Sequence, residues 1–152
     1  MTAMECLDKL REMQIELRTL ERDIKELKSK LYSLRAIDYS KEHISGGTPK
    51  DLGDQIAHFN AKLKVVQDKW QRFMQYSEAV DKMINQIESC QLRALLHERY
   101  INCGSWEQVA EVVGVTREWI RKRMHKEAIK EFSKIYKNSW QELAVVGIQD
   151  VI

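Results

Sequence analysis

Residues 105–124 read SWEQVAEVVGVTREWIRKRM and contain two groups of residues that typically start helices. Ser105 and Thr116 are residue types whose hydroxyls accept hydrogen bonds from the free amides at a helix start. Gln108 stands three residues after Ser105, which is the spacing of a capping box. Gly114 stands between the two starts, where a tight turn needs a positive φ. The stretch therefore predicts two short helices joined by a turn at Gly114.

The apolar residues of this stretch have the spacing that a helix-turn-helix requires. Ala110 is small, as expected where two helices cross closely. Ile120 comes six residues after Gly114 and is placed to pack back between the helices. The predicted core of the motif is completed by Val109, Val113 and Val115. A further helix is expected over residues 91–101, before a turn at residues 102–104.

The basic residues are concentrated in the helix that starts at Thr116. Residues 1–89 carry 15 Lys/Arg and 15 Asp/Glu, whereas residues 114–138 carry eight basic and three acidic residues. A run of charged residues usually lies on a solvated helix face, but this run has an excess of positive charge and lies on the second helix of the motif. The chain is therefore expected to bind double-stranded DNA, the alternative being a three-helix bundle that does not contact DNA.

Helical spacing places five side chains of the predicted helix that starts at Thr116 on one face. A helix in the major groove reads bases from such positions near its start, and Arg and Glu match guanine and cytosine edges. The predicted base contacts are Arg117, Glu118, Arg121, Lys122 and His125. The predicted phosphate contacts, on the flanks and at the helix starts, are Ser105, Thr116, Arg123, Lys126 and Lys130.

Two long segments before residue 88 repeat apolar residues with heptad spacing, which is typical of coiled coils. The first begins at Leu10 and the second at Ile56, with Ser77 as a polar exception. The predicted hairpin core is Leu17, Leu20, Ile24, Leu27, Leu63, Val66, Trp70 and Phe73. An antiparallel hairpin is the simplest arrangement, and pairing of each helix with another chain is the alternative. Either arrangement favours a homo-oligomer, with a dimer preferred.

The sequence thus predicts an all-α fold in which a long antiparallel helical hairpin precedes a small helix-turn-helix domain. The hairpin is expected over residues 1–88, with a connector at 37–49 that includes SGGTP at 45–49. Thr48 and Pro49 suit the start of the second helix. A break near residues 88–91, with Ser89 as a possible cap, would open the helix-turn-helix domain at 89–138. A separate tail is expected at 139–152, where SWQE resembles a capping box.

Several function classes are not supported by any sequence pattern. Cys6, Cys90 and Cys103 are odd in number and widely spaced, so no disulfide framework is expected. A zinc site of Cys90, His97 and Cys103 would lack a fourth ligand. Without a phosphate loop, catalytic triad or metal motif, we expect no enzyme activity, cofactor or metal. No apolar run approaches the roughly 20 residues of a membrane span, and the N-terminus lacks a signal-peptide core, so a cytoplasmic location is expected.

Three segments resemble region 4 of sigma-70-type factors: LRALLHERYI at 92–101, SWEQVA at 105–110 and GVTREWIR at 114–121. The whole layout also resembles small phage-encoded regulators of the ArpU-like kind. The resemblance implies reading of a promoter −35 element, contact with RNA polymerase, and roles for Arg117, Glu118 and Arg121 on bases or adjacent phosphates. Trp119 and Lys122 depart from the Arg and Gln that sigma factors often have there, and no segment resembles the one that reads the −10 element.

The expected function is that of a sequence-specific, phage- or prophage-encoded transcription regulator that acts at promoters as an oligomer in a bacterial cytoplasm. One alternative is the DNA-recognition subunit of a packaging machine, similar to a small terminase subunit, although those usually place the DNA-binding part first. The other is an interaction factor that binds RNA polymerase and hardly touches DNA.

Overall fold

A computed structural model describes residues 1–38 and 50–145, and all regular secondary structure in those ranges is helical. Two long helices come first, α1 (Ala3–Asp38) and α2 (Lys50–Ile84). The shorter elements that follow are α3 (Cys90–Leu96), a π-helical turn (His97–Ile101), α4 (Trp106–Val113), α5 (Arg117–Trp119), a second π-helical turn (Ile120–Met124) and α6 (His125–Val145). The predicted all-α class is confirmed. None of these helices is long and apolar enough to span a membrane.

The chain divides into two compact units, one made of residues 1–14 with residues 72 onward, and the other of residues 15–71. This division differs from the boundary predicted between residues 88 and 89. The reason is that the start of α1 is held by residues from much later in the sequence. The Tyr76 hydroxyl donates to the Cys6 carbonyl at 3.0 Å, and the Tyr136 hydroxyl donates to the Met1 carbonyl at 3.3 Å.

The unit that contains both chain ends has a continuous apolar core. In the second π-helical turn and α6, buried residues recur at every fourth position, from Ile120 to Tyr136. This spacing places them on the side that faces the core. The largest fully buried side chains of the unit are Leu7, Leu10, Val80, Ile84, Leu95, Leu96, Val109, Ile120 and Phe132. The short helices are therefore fixed by packing on the first residues of α1 and the last residues of α2.

The unit of residues 15–71 is less completely buried than its heptad pattern predicts. Leu17 and Val66 are buried, but Leu20, Ile24, Leu27 and Leu63 are only half-buried. Trp70, predicted in the core, is 39% exposed, and its indole N–H donates to Glu21 at 2.6 Å. The polar edge of a tryptophan needs a partner, and here the partner is a surface carboxylate. Phe73, by contrast, is buried, and it belongs to the other unit.

The residues of α1 and α2 in this unit are in side-chain contact. Lys69 forms an ion pair with Glu16. Farther along, a cavity of about 640 Å³ is lined from α1 by Leu27, Lys30, Leu31 and Ser33 and from α2 by Asp54, Gln55, His58 and Phe59. Later residues of α1 thus lie near earlier residues of α2.

Two predicted helix boundaries fall within the described residues. α2 ends at Ile84 and Ser89 precedes α3, but the Ser89 side chain makes no capping hydrogen bond. Ser139, expected to begin a separate tail, lies inside α6 and is buried. The predicted connector turn at 45–49 and the last residues of the predicted tail, 146–152, lie outside the described residues.

Candidate nucleic-acid interface

The start of α4 has the capping box that the sequence predicts. The Ser105 hydroxyl accepts from the Gln108 amide at 3.3 Å, and the Gln108 side-chain oxygen accepts from the Ser105 amide at 2.7 Å. Ser105 has the extended backbone of a capping residue, with φ −69° and ψ 163°. Two amides that the helix cannot satisfy itself are thereby paired, and the start of α4 is defined by local hydrogen bonds.

The turn between α4 and α5 is also determined locally. Gly114 adopts φ 76° and ψ 30°, the left-handed conformation expected of a glycine after a helix. The Gly114 and Val115 amides both donate to the Ala110 carbonyl, at 2.9 and 3.2 Å. Thr116 then caps α5 by accepting from the Trp119 amide at 3.4 Å. Val109 and Ile120 are fully buried on either side of this turn, as predicted.

The segment that follows Thr116 has one buried side and one side that is exposed to solvent. Ile120 and Met124 are buried. The side chains of Arg117, Glu118, Arg121 and Lys122, all predicted base contacts, are exposed. The predicted phosphate contacts Ser105, Thr116, Arg123, Lys126 and Lys130 are exposed as well. The structure thus presents nine of the ten predicted residues to solvent, and the basic ones form a cationic surface.

The second π-helical turn, Ile120–Met124, lies within this cationic surface. A π-helical turn holds more residues than an α-helical turn, and such turns occur often at functional sites. Here it carries three consecutive basic residues, Arg121 to Arg123, between two buried anchors. Their side chains are therefore spread around a wider turn than an ordinary helix would provide.

Arg117 is held by a carboxylate on the preceding helix. Its guanidinium Nη1 lies 2.5 Å from Glu107 Oε1, and both side chains are more than half exposed. The hydrogen bond from Arg117 lowers the pKa of the Glu107 carboxyl. Because water screens exposed ion pairs, this one contributes little to folding. Its consequence is local, since it orients Arg117 and places a negative charge beside the cationic surface.

His125 does not lie on the exposed face where helical spacing places it. Its Nε2 atom is 2.8 Å from the Tyr100 hydroxyl, and its ring meets the Trp106 ring edge-on at 5.1 Å. Burial, followed by the nearby charge of Arg99, lowers the pKa of His125. His125 is thus half-buried and packed against Tyr100 and Trp106, unlike the other four predicted base contacts, which are exposed.

Trp119 is a further exposed residue of this segment, at a position where the sequence departs from sigma factors. It is 48% exposed, and the guanidinium carbon of Arg123 lies 5.0 Å from the ring centroid. On α4, Val112 is 59% exposed. A tryptophan between charged residues on the outer side of a short helix is the signal that could have identified it.

Within the part of the chain that is described, no group of three or more His, Cys, Asp or Glu side chains could hold a metal ion. Cys90, one member of the zinc set considered from the sequence, is exposed, and His97 instead lies 3.6 Å from Asp81. No family model, curated protein or solved structure matches this chain.

Proposed function

We propose that this chain is a sequence-specific double-stranded DNA-binding transcription regulator of the phage-regulator kind that its sequence resembles. In this proposal, α4 and α5, with the π-helical turn after α5, form a helix-turn-helix. The observation that carries the proposal is the cationic surface on a segment whose other side is buried and whose start is capped. A rigid helix start with exposed Arg and Glu is the arrangement that reads base edges in a major groove.

The residues divide into two roles by position. Arg117, Glu118, Arg121 and Lys122 are proposed to reach base edges, because they are exposed at the start of the segment. Phosphate contacts are proposed for Ser105, Thr116, Arg123, Lys126 and Lys130. Since the Ser105 amide already donates to Gln108, Ser105 would use its hydroxyl proton rather than its backbone.

We further propose that α1 and α2 form an antiparallel hairpin through which two copies associate. Antiparallel pairing is supported by the ion pair Glu16–Lys69 and by the cavity that residues 27–33 of α1 and 54–59 of α2 line together. The half-buried heptad residues support association, because a second hairpin would remove their remaining apolar surface from water. A dimer would bring two recognition segments to two half-sites.

DNA binding is tested by fluorescence anisotropy with duplexes that the pure protein selects from a random library. We expect affinity to fall steeply with salt, because several phosphates are neutralised. Arg121→Ala should weaken binding to the selected duplex about tenfold or more, the loss typical of one base contact. Arg22→Ala, an exposed arginine of the other unit, should change nothing. A folded wild-type protein that binds no duplex at low salt would reject the proposed function.

Association is tested by sedimentation equilibrium. Leu27→Glu places a charge in the half-buried stripe and should convert the oligomer to monomers, whereas Lys28→Glu at the neighbouring exposed position should not. A monomeric wild type would refute the dimer. A large ring would instead favour the packaging-subunit alternative.

A further inference from the structure

Trp119 is an exposed apolar side chain inside the cationic surface. Trp119 is 48% exposed, although it lies between the exposed charged residues Glu118 and Arg121. The guanidinium carbon of Arg123 lies 5.0 Å from the ring centroid, within the distance of a cation–π contact. The indole is thus in contact with a cation and still accessible to a partner.

The surroundings of the indole restrict what can cover it. A partner must offer negative charge to the neighbouring basic side chains, Arg121 to Arg123, and an apolar group to the indole. Double-stranded DNA offers both, because its backbone is anionic and the C5-methyl of thymine is the apolar group that projects into the major groove. A protein partner would need an acidic surface with an apolar residue at its centre.

We propose that Trp119 reads thymine by contact of its indole with the C5-methyl group. This inference rests on the proposed DNA-binding function and adds a base preference to it. It also gives a physical role to the position where the chain departs from the arginine of sigma factors. The contact requires no rearrangement of the turn, since Trp119 is already exposed.

The experiment replaces each thymine of the selected duplex, one at a time, by deoxyuridine, which removes only the methyl group. The wild type should lose about fourfold in affinity at one or more positions, as expected for one methyl group returned to water. Trp119→Ala should bind the thymine and deoxyuridine forms of that position equally, and Trp119→Phe should retain part of the difference. Val112→Ala, which shortens an exposed apolar residue of α4, should retain all of it.

The outcomes separate this inference from the function on which it rests. If the wild type binds the selected duplex but no deoxyuridine substitution matters, or if Trp119→Ala keeps the methyl dependence, the thymine assignment is overturned. If Trp119→Ala keeps the methyl dependence but no longer co-purifies with RNA polymerase, the indole contacts a protein rather than thymine, and the thymine assignment is again overturned. Failure of the wild type to bind any duplex rejects the DNA-binding function itself. Circular dichroism of each variant confirms that its helix content is unchanged.

Discussion

Replacing Gly114 by alanine should destabilise the protein through backbone conformation alone. Gly114 has φ 76°, and a Cβ atom added there would meet nothing within 4 Å. The left-handed conformation costs an L-residue about 1–2 kcal/mol. Alanine also restricts the unfolded chain, which returns about 0.4–1 kcal/mol. The net loss in the free energy of unfolding should therefore be about 1 kcal/mol, which lowers Tm by roughly 3 °C for a chain of 152 residues.

A series of substitutions tests this reasoning by thermal and urea unfolding of the full chain. Gly114→Asn should lose less than Gly114→Ala, because asparagine tolerates the left-handed region. At Gly104 we expect the opposite order, with Gly104→Asn losing more stability than Gly104→Ala. A Cβ atom added there would lie 2.8 Å from Glu98 Oε1 and 3.0 Å from the Glu98 carbonyl oxygen, so a larger side chain fits less well. A Gly114→Ala variant as stable as the wild type, or an asparagine variant less stable than the alanine one, would refute the conformational explanation.

Three further predictions concern single side chains. Because burial holds the pKa of His125 below its usual value, the unfolded state binds a proton more readily, and the free energy of unfolding should fall as the pH drops below about 6.5. Urea denaturation at pH 7.5 and pH 5 should show a smaller fall in this free energy for His125→Gln than for the wild type. Equal falls in the two proteins would contradict this explanation. Burial raises the pKa of the Cys6 thiol, so iodoacetamide followed by mass mapping should label exposed Cys90 in the native protein and Cys6 only after unfolding. Glu107→Gln should raise affinity for unselected DNA about threefold, since it releases Arg117 from a screened ion pair. Glu111→Gln is the control, and a Glu107→Gln effect no larger than the effect of this control would contradict a role for the ion pair.

The turn at the candidate interface could be predicted because its determinants lie within a few residues of one another. Ser105 bonds Gln108 and Thr116 bonds the Trp119 amide, each across three residues. Gly114 is the residue type that adopts its observed φ at least cost. Short-range hydrogen bonding of this kind depends on residue type and spacing, which a sequence displays directly.

The role of His125 could not be predicted, because its partners come from distant parts of the chain. Tyr100 lies 25 residues earlier, and the π-helical turn before His125 breaks the regular angle on which helical spacing relies. The same limit applies to Trp70, whose partner Glu21 lies 49 residues away. A helix projection predicts an exposed His125 and a buried Trp70, whereas in the structure His125 is half-buried against Tyr100 and Trp70 is 39% exposed.

By itself, the sequence determined the helical class, the capped helix starts, the turn at Gly114 and the concentration of basic residues after Thr116, since each follows from local spacing and residue type. Only the tertiary structure decided which residues share a core. It joined the start of α1 to the last part of the chain through contacts such as Cys6 with Tyr76, 70 residues apart. It also left Trp119 exposed among cations. Burial is decided by which elements meet, and that depends on the packing of the whole unit rather than on neighbouring residues.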